Sequence, residues 1–230
     1  MIKVLLWDVD GTLLDFLKAE YESIKQCFEV FDLGECTDEM VERYSIINKK
    51  YWEMLERGEI TKPEVLVGRF TEFFETEGID TSIASSFNKE YQNRLGETIV
   101  FCDDSYELIK EFKKEYKQYG VTNGTKIAQD KKLSKSGLIH LFDDVFISEV
   151  VGVEKPGIAF FEYVWDRIGT YEKNEIMIIG DSLTSDIKGG NNAGIKTCWY
   201  NPKKAVNDKG VHVDYEIDNL QLLPGILKSL

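Results

Sequence analysis

A short apolar run meets two carboxylates almost at once, and that junction limits what the chain can fold into. Residues Ile2 to Trp7 are apolar except for Lys3, and Asp8-Val9-Asp10-Gly11-Thr12 follows directly. A continuous apolar run of this length reads as a strand buried on both faces. Such a strand needs neighbours in a sheet, yet none is written nearby. From about residue 17 to 95 apolar residues recur at helical spacing instead: Tyr21, Ile24, Cys27, Phe28 and Phe31; Met40, Val41, Tyr44, Ile47, Tyr51 and Met54; Val65, Leu66, Phe70 and Phe73. This predicts four helices separated by Gly34, Gly58 and Gly78.

From about residue 98 the pattern alternates. Strands are expected at Tyr119–Thr122, Asp144–Ile147, Glu175–Ile179 and Lys196–Tyr200, with helices over 104–115, 125–136, 157–168, 184–192 and 219–229. Alternation of this kind gives an α/β fold, a parallel sheet with helices on both faces. The first strand must join that sheet, which makes the helical block an insertion. The expected division is residues 1–16 and 96–230 for the sheet domain and 17–95 for the insertion.

The acidic excess bounds the partners. With 28 basic and 41 acidic residues the formal net charge is -13. That field repels a phosphate backbone and an anionic membrane surface, so neither nucleic acid nor membrane is an expected partner. A small anion remains possible, because a metal, a lysine or a helix N-terminus overrides the net field at short range. Cys27, Cys36, Cys102 and Cys198 form no C-x-x-C pair, and His140 and His212 are the only histidines, which argues against zinc. Reduced thiols in the cytoplasm are expected. The opening apolar run is too short for the core of a signal peptide, and no later run is long enough to span a bilayer.

In parallel sheets ligands sit beyond the C-terminal ends of the strands. Polar residues follow three of the expected strands at that place: Asp8 and Asp10, then Thr122 and Asn123, then Gly180-Asp181-Ser182. Each group has a plain structural reading. Asp10-Gly11 is a common turn pair, Thr122-Asn123 an ordinary helix cap, and Asp181 or Ser182 another cap. Most lysines, Lys155 included, read as solvated. The chemical reading is that Asp8 and Asp10 converge on one metal and one substrate atom. The hydroxyl and amides at Thr122-Asn123-Gly124 suit phosphate oxygens, and Lys155 before Pro156-Gly157 suits a phosphate charge. Asp181 suits a direct magnesium ligand and Asp186 a supporting one. Nucleophile, acid/base, phosphate cradle, cation and metal acids are the set, in the order, that aspartyl-phosphate chemistry requires.

This combination resembles the haloacid dehalogenase superfamily of hydrolases. Its four motifs correspond to Asp8–Thr12, Thr122, Lys155, and Asp181 with Asp186, and the resemblance covers essentially the whole chain. It implies a Rossmann-like core with a mobile cap. The long interval from Thr12 to Thr122 puts that cap at the first insertion point, where the family carries a helical bundle. The implied activity is phosphomonoester hydrolysis through an aspartyl-phosphate on Asp8, with Asp10 as acid and base. Thr122 and the amides after it hold phosphate, Lys155 balances charge, and Mg²⁺ is held by Asp8, the Asp10 carbonyl and Asp181.

Asn48-Lys49-Lys50-Tyr51-Trp52, Gly58-Glu59-Ile60-Thr61, Gly68-Arg69-Phe70, Ile147–Val153, Gly189–Gly194 and Thr197–Asn201 are similar to segments of the YjjG-type pyrimidine 5′-nucleotidases. The similarity implies a nucleoside 5′-monophosphate as substrate. Asp15 and Phe16 of the flap, with Asn48, Trp52 and Arg69 of the cap, would then face the base. The plain reading puts Trp52 in the bundle core and Arg69 in a surface ion pair. Cys102-Asp103-Asp104-Ser105 departs from the subgroup, where a Pro-Gly turn is expected. A sugar-phosphate phosphatase, a phosphomutase and a phosphate-binding or signalling module without turnover stay open. Asp10 argues against a dehalogenase, which has no alkoxide to protonate.

Overall fold

The computed structural model describes residues 1–230. The first strand is β1 (Val4–Trp7), and four helices follow it: α1 (Phe16–Val30), α2 (Asp38–Glu56), α3 (Lys62–Glu77) and α4 (Ala84–Leu95). Then come α5 (Ser105–Phe112), β2 (Lys117–Thr122), α6 (Lys126–Ser136), β3 (Asp144–Ile147), α7 (Ser148–Val151) and α8 (Ile158–Ile168). The chain closes with β4 (Ile176–Gly180), α9 (Lys188–Ala193), β5 (Lys196–Tyr200), β6 (Tyr215–Ile217) and α10 (Leu223–Lys228).

Burial explains the uninterrupted apolar character of β1. It pairs in parallel with β2 on one side and β4 on the other, and all four of its residues are buried. The six strands are all parallel, in the order β3-β2-β1-β4-β5-β6. That is the order of a Rossmann-like sheet, whose switch point lies at β1. Alternate side chains serve opposite faces. Leu5, Trp7, Met177 and Ile179 pack with Ile109, Phe112, Leu223 and Leu227 of α5 and α10. Val4, Leu6, Ile176 and Ile178 pack with Phe160, Phe161 and Val164 of α8 and Ala193 of α9. The Trp7 indole donates to Gln118 Oε1 at 3.0 Å, and Gln118 donates onward to the Ile109 carbonyl, so the polar edge of this face is closed too.

Some details differ from the sequence expectation. The strand β6 was not expected, because three residues at a sheet edge give too short an alternation to detect. The expected helix over 184–192 opens instead with a π-helical turn, Leu183–Ile187, before α9. The helix expected over 104–115 ends at Phe112, and that expected over 219–229 is a 3₁₀ turn followed by α10.

The helices α1–α4 gather around their own apolar cluster, which includes Ile24, Phe28, Tyr44, Phe70, Phe73, Phe74, Phe87 and Tyr91. Thr37 caps α2, and Thr61 with Glu64 forms a capping box at α3, where Pro63 suits the first turn. Gly34, Gly58 and Gly78 all have positive φ between these helices, which is why glycine separates them. Polar links join this helical block to the sheet domain. Thr125 Oγ donates to Gln92 Oε1 at 2.7 Å, Thr184 Oγ to Glu56 Oε2 at 2.5 Å, and Lys62 Nζ to Ser148 Oγ at 2.6 Å.

Candidate active site

The ends of β1, β2 and β4 meet at a cleft of about 170 Å³ beneath the helical block. Asp8, directly after β1, is its centre. Lys155 Nζ donates to Asp8 Oδ1 at 2.9 Å, and Thr12 Oγ donates to Asp8 Oδ2 at 3.1 Å. Lys155 also donates to the Val121 carbonyl at 2.7 Å and to Asp186 Oδ1 at 2.6 Å. The position of Lys155 is set by Asn123, whose amide brackets the Lys155 backbone: Nδ2 donates to its carbonyl at 2.8 Å, and Oδ1 accepts from its N–H at 2.9 Å. Thr122 Oγ accepts from the Gly124 N–H at 3.0 Å, which tightens the turn between β2 and α6.

The acids after β4 are placed by close backbone approach. Asp186 returns through the π-helical turn to accept from the Ser182 N–H at 3.1 Å. A Cβ on Gly180 would lie 2.3 Å from the Asp186 carboxyl carbon, so only glycine lets the turn fold back this far. Asp181 is oriented through its carbonyl, which accepts the Trp199 indole N–H at 2.9 Å. Gly11, at φ 93°, leaves room for the Asp181 carboxylate, which a Cβ there would meet at 2.6 Å.

Carboxylate oxygens of Asp8, Asp181 and Asp186 lie within 4.8 Å of one another. Lys155 is the one cation bonded among them. Burial first, and then the Asp186 charge, push the Asp8 carboxyl up to about 7 against the opposing pull of Lys155. Asp181 opens to solvent along the cleft, with Gly11 close against its carboxylate. Burial and then the charges of Asp8 and Asp186 hold it well above the usual carboxylate range. Burial alone would lower Lys155, but Asp186 and Asp8 outweigh it and keep the ammonium charged. Three crowded oxygen donors with one lysine fit a hard divalent cation, which relieves the repulsion that Lys155 leaves. The side chain of Asp10 is not in this group.

Asp10 faces the same cleft from another side. Gln129 Nε2 donates to its Oδ2 at 2.5 Å, and Lys132 Nζ forms an ion pair with its Oδ1. Phe16, Trp52 and Arg69 also line the cleft, together with Glu56 and Gln92. Trp52 is partly exposed there rather than sealed in the bundle core. Arg69 is buried, not in a surface ion pair: it donates to Asn48 Oδ1 at 2.7 Å and to Asn88 Oδ1 at 3.0 Å, while its Nε has no partner. Asn48 does not reach the cleft wall. Its amide is held between Arg69 and Glu20, the latter at 2.7 Å. Asp15 caps α1 by accepting from the Lys18 N–H at 3.0 Å. Sequence reasoning did not single out Thr12, Glu56, Gln129 or Lys132. The last two carry no sequence signal, because it is only in the fold that their stripe of α6 is buried.

Residues 5–200 match the family described as haloacid dehalogenase-like hydrolases. The HAD-hydrolase YfnB of Bacillus subtilis (strain 168) is 37% identical over 225 residues, covering 98% of this chain and 95% of YfnB. A crystal structure of YfnB bound to magnesium superposes with a TM-score of 0.91 at 36% identity, covering 99% of each chain. Pyrimidine 5′-nucleotidase PynA of Streptococcus pneumoniae (strain ATCC BAA-255 / R6) is 37% identical over 224 residues, covering 95% of this chain and 92% of PynA. Pyrimidine 5′-nucleotidase YjjG of Escherichia coli (strain K12) is 28% identical over 223 residues, covering 97% and 96%.

Proposed function

This chain belongs to the haloacid dehalogenase-like hydrolases, and from that premise we propose that it is a magnesium-dependent phosphatase acting on nucleoside 5′-monophosphates. The observation that carries the phosphatase reading is the pairing of Asp8, held by Lys155 and Thr12, with a second carboxylate, Asp10, in the same cleft. A dehalogenase needs only the first. The helical block, residues 17–95, is then the cap, and residues 1–16 with 96–230 the catalytic core.

An Asp8 oxygen attacks phosphorus, and the bond from phosphorus to the ester oxygen breaks as the new one forms. Asp10, carrying a proton, gives it to the departing alkoxide. Water then attacks the phosphorus of the aspartyl-phosphate and passes its proton to Asp10, and the Asp8 carboxylate is regenerated. Lys155 offsets charge on Asp8 throughout, and the Thr122–Gly124 turn faces the phosphate oxygens. Asp8, Asp181 and the carbonyl of Asp10 would hold Mg²⁺, with Asp186 supporting, and the ion would neutralise repulsion between carboxylate and phosphate dianion.

The nucleotide assignment is supported by the aromatic and cationic wall that Trp52 and Arg69 present to the cleft, and by the two nucleotidase relatives. Asn48 acts in this reading by fixing Arg69. No helix is long and apolar enough to cross a membrane, and all four cysteines are unpaired. The test is phosphate release from a panel of phosphomonoesters, with Mg²⁺ and with excess chelator. Nucleoside 5′-monophosphates, pyrimidine deoxynucleotides among them, should lead, and chelation should stop all turnover. Sugar phosphates leading the panel would sink the nucleotide assignment. Undiminished turnover with metal verified as absent would sink the metal assignment.

A further inference from the structure

The inner face of α6 carries a long amide and an ammonium among its small and apolar residues. Ala128, Gln129, Lys132, Leu133 and Ser136 are all buried, and Lys132 is only 1% exposed. Burying an amide and an ammonium is costly unless each finds a partner. Both find the same one. Lys132 Nζ pairs with Asp10 Oδ1, and Gln129 Nε2 donates to Asp10 Oδ2. No other hydrogen bond reaches that carboxylate. The Phe16 ring lies 5.5 Å from Lys132 Nζ, on a further side of the ammonium. Gln129 is backed by the phosphate-facing turn, since a Cβ on Gly124 would lie 2.3 Å from Gln129 Nε2.

We propose that Lys132 and Gln129 are positioning residues that clamp the Asp10 carboxylate for the hydrolytic half of the reaction, an inference that rests on the phosphatase reading above. Each Asp10 oxygen accepts an N–H, so the arrangement suits Asp10 as proton acceptor. That is its role when water attacks: the water oxygen bonds to phosphorus, the bond from phosphorus to Asp8 breaks, and the water proton passes to Asp10. In the first half-reaction Asp10 instead offers an O–H, and one of the two donors must give way. The clamped carboxylate, with both oxygens accepting, is the starting state for hydrolysis, so with a leaving group that needs no proton the clamp is felt in hydrolysis of the aspartyl-phosphate and not in its formation. Two contacts on one carboxylate also stop it rotating, as a group that must meet an attacking water requires.

Rapid-quench kinetics of the magnesium-loaded enzyme with a labelled aryl phosphate separate the two half-reactions, because an aryl leaving group needs no proton. Lys132→Met should slow hydrolysis of the phosphoenzyme about 100-fold while its formation changes less than about threefold, so that phosphoenzyme accumulates. Lys132→Arg should restore hydrolysis to within about tenfold of wild type, since a cation at the same place is what the clamp requires. Gln129→Met should slow hydrolysis about tenfold and supplies the same test if Lys132→Met does not fold. Hydrolysis at the wild-type rate in the Met variants would overturn the clamp. So would equal slowing of both half-reactions with a lower melting temperature, which would show packing instead. No phosphate release from the aryl ester by the magnesium-loaded wild type would overturn the phosphatase reading, and the clamp with it.

Discussion

The sheet end and the helical block both bury charge, but they balance it differently. In the block, buried Glu20 and buried Arg69 are one acid and one base, bridged by the two ends of the Asn48 amide. Ser45 donates to Glu20 as well, and Asn88 and Gln92 carry the chain of hydrogen bonds on to Thr125 beside the turn between β2 and α6. Burial raises the Glu20 carboxyl, while Ser45, Arg69 and Asn48 pull the other way. At the sheet end three acids crowd around one lysine. The lesson is that burial of charge does not itself mark chemistry. A paired, neutral network orders a framework, whereas a buried excess of one sign awaits a counter-ion and a reactant.

The sharpest way to break this contrast is at Asp8. Asp8→Asn should lower phosphate release by at least about 10⁴-fold. Its melting temperature in the absence of metal should match or exceed that of wild type, because one crowded carboxylate is gone. Near-normal release from the folded variant would refute the nucleophile. In the block, Phe73 is fully buried against Phe28, Tyr44 and Phe74, and Phe73→Ala should cost about 3–5 kcal/mol. Hydrogen exchange should then rise across residues 17–95, with turnover of an aryl phosphate nearly unchanged per folded molecule. Equal loss of protection in sheet and block would break the division between cap and core.

A smaller effect is expected where the two regions face each other. Trp52→Ala should lower kcat/KM for a pyrimidine nucleotide about tenfold, the worth of one stacked base, and for a small aryl phosphate less than about twofold. Parallel loss of both would make Trp52 packing. The smallest effect concerns Glu56, whose carboxyl burial pushes up to about 7 although Thr184 opposes it. A carboxyl raised above its ordinary 4.5 binds its proton more tightly in the folded chain. Its stabilising contribution is therefore full below about pH 4.5 and is lost as pH rises through about 7. Glu56→Gln should flatten that fall in the metal-free protein by about 1 kcal/mol between pH 5 and 8, measured by denaturant unfolding. Identical pH dependence in variant and wild type would show that Glu56 is already ionised and solvated.

The sheet was legible wherever a strand was long or wholly apolar. β1 and β4 follow from apolar runs that burial on both faces requires, and Asp8, Thr122 and Asp181 from their place at or just after strand ends. Lys155 and Asp186 were found from the order of residue types rather than from any local pattern. What the sequence hid depends on contacts between distant segments. Asn48 reads as a free polar residue, and only the packing of α1, α2 and α3 commits its amide to Glu20 and Arg69. Gln129 and Lys132 look like ordinary polar helix residues until the stripe they occupy is seen to be buried. The turn at Cys102–Ser105 lacks the expected Pro-Gly, yet it is made: Asp103 and Asp104 take φ 45° and 55°, a region that aspartate tolerates better than most residues. Asp103 then accepts from the Tyr200 hydroxyl and the Leu220 N–H, which anchors the C-terminal segment.

Lys155 reaches residues from three strand ends at once: Asp8 after β1, the Val121 carbonyl in β2, and Asp186 after β4. Removing it would leave two buried carboxylates and a carbonyl facing an empty site, a loss of about 3–5 kcal/mol. Asp8 has no such hold on the fold, since Lys155 keeps its other two partners without it. A library selected only for soluble, folded protein, blind to turnover, should therefore retain a cation at position 155 and let position 8 drift. Invariance at 155 among inactive descendants of this chain would be a record of architecture, and invariance at 8 a record of chemistry.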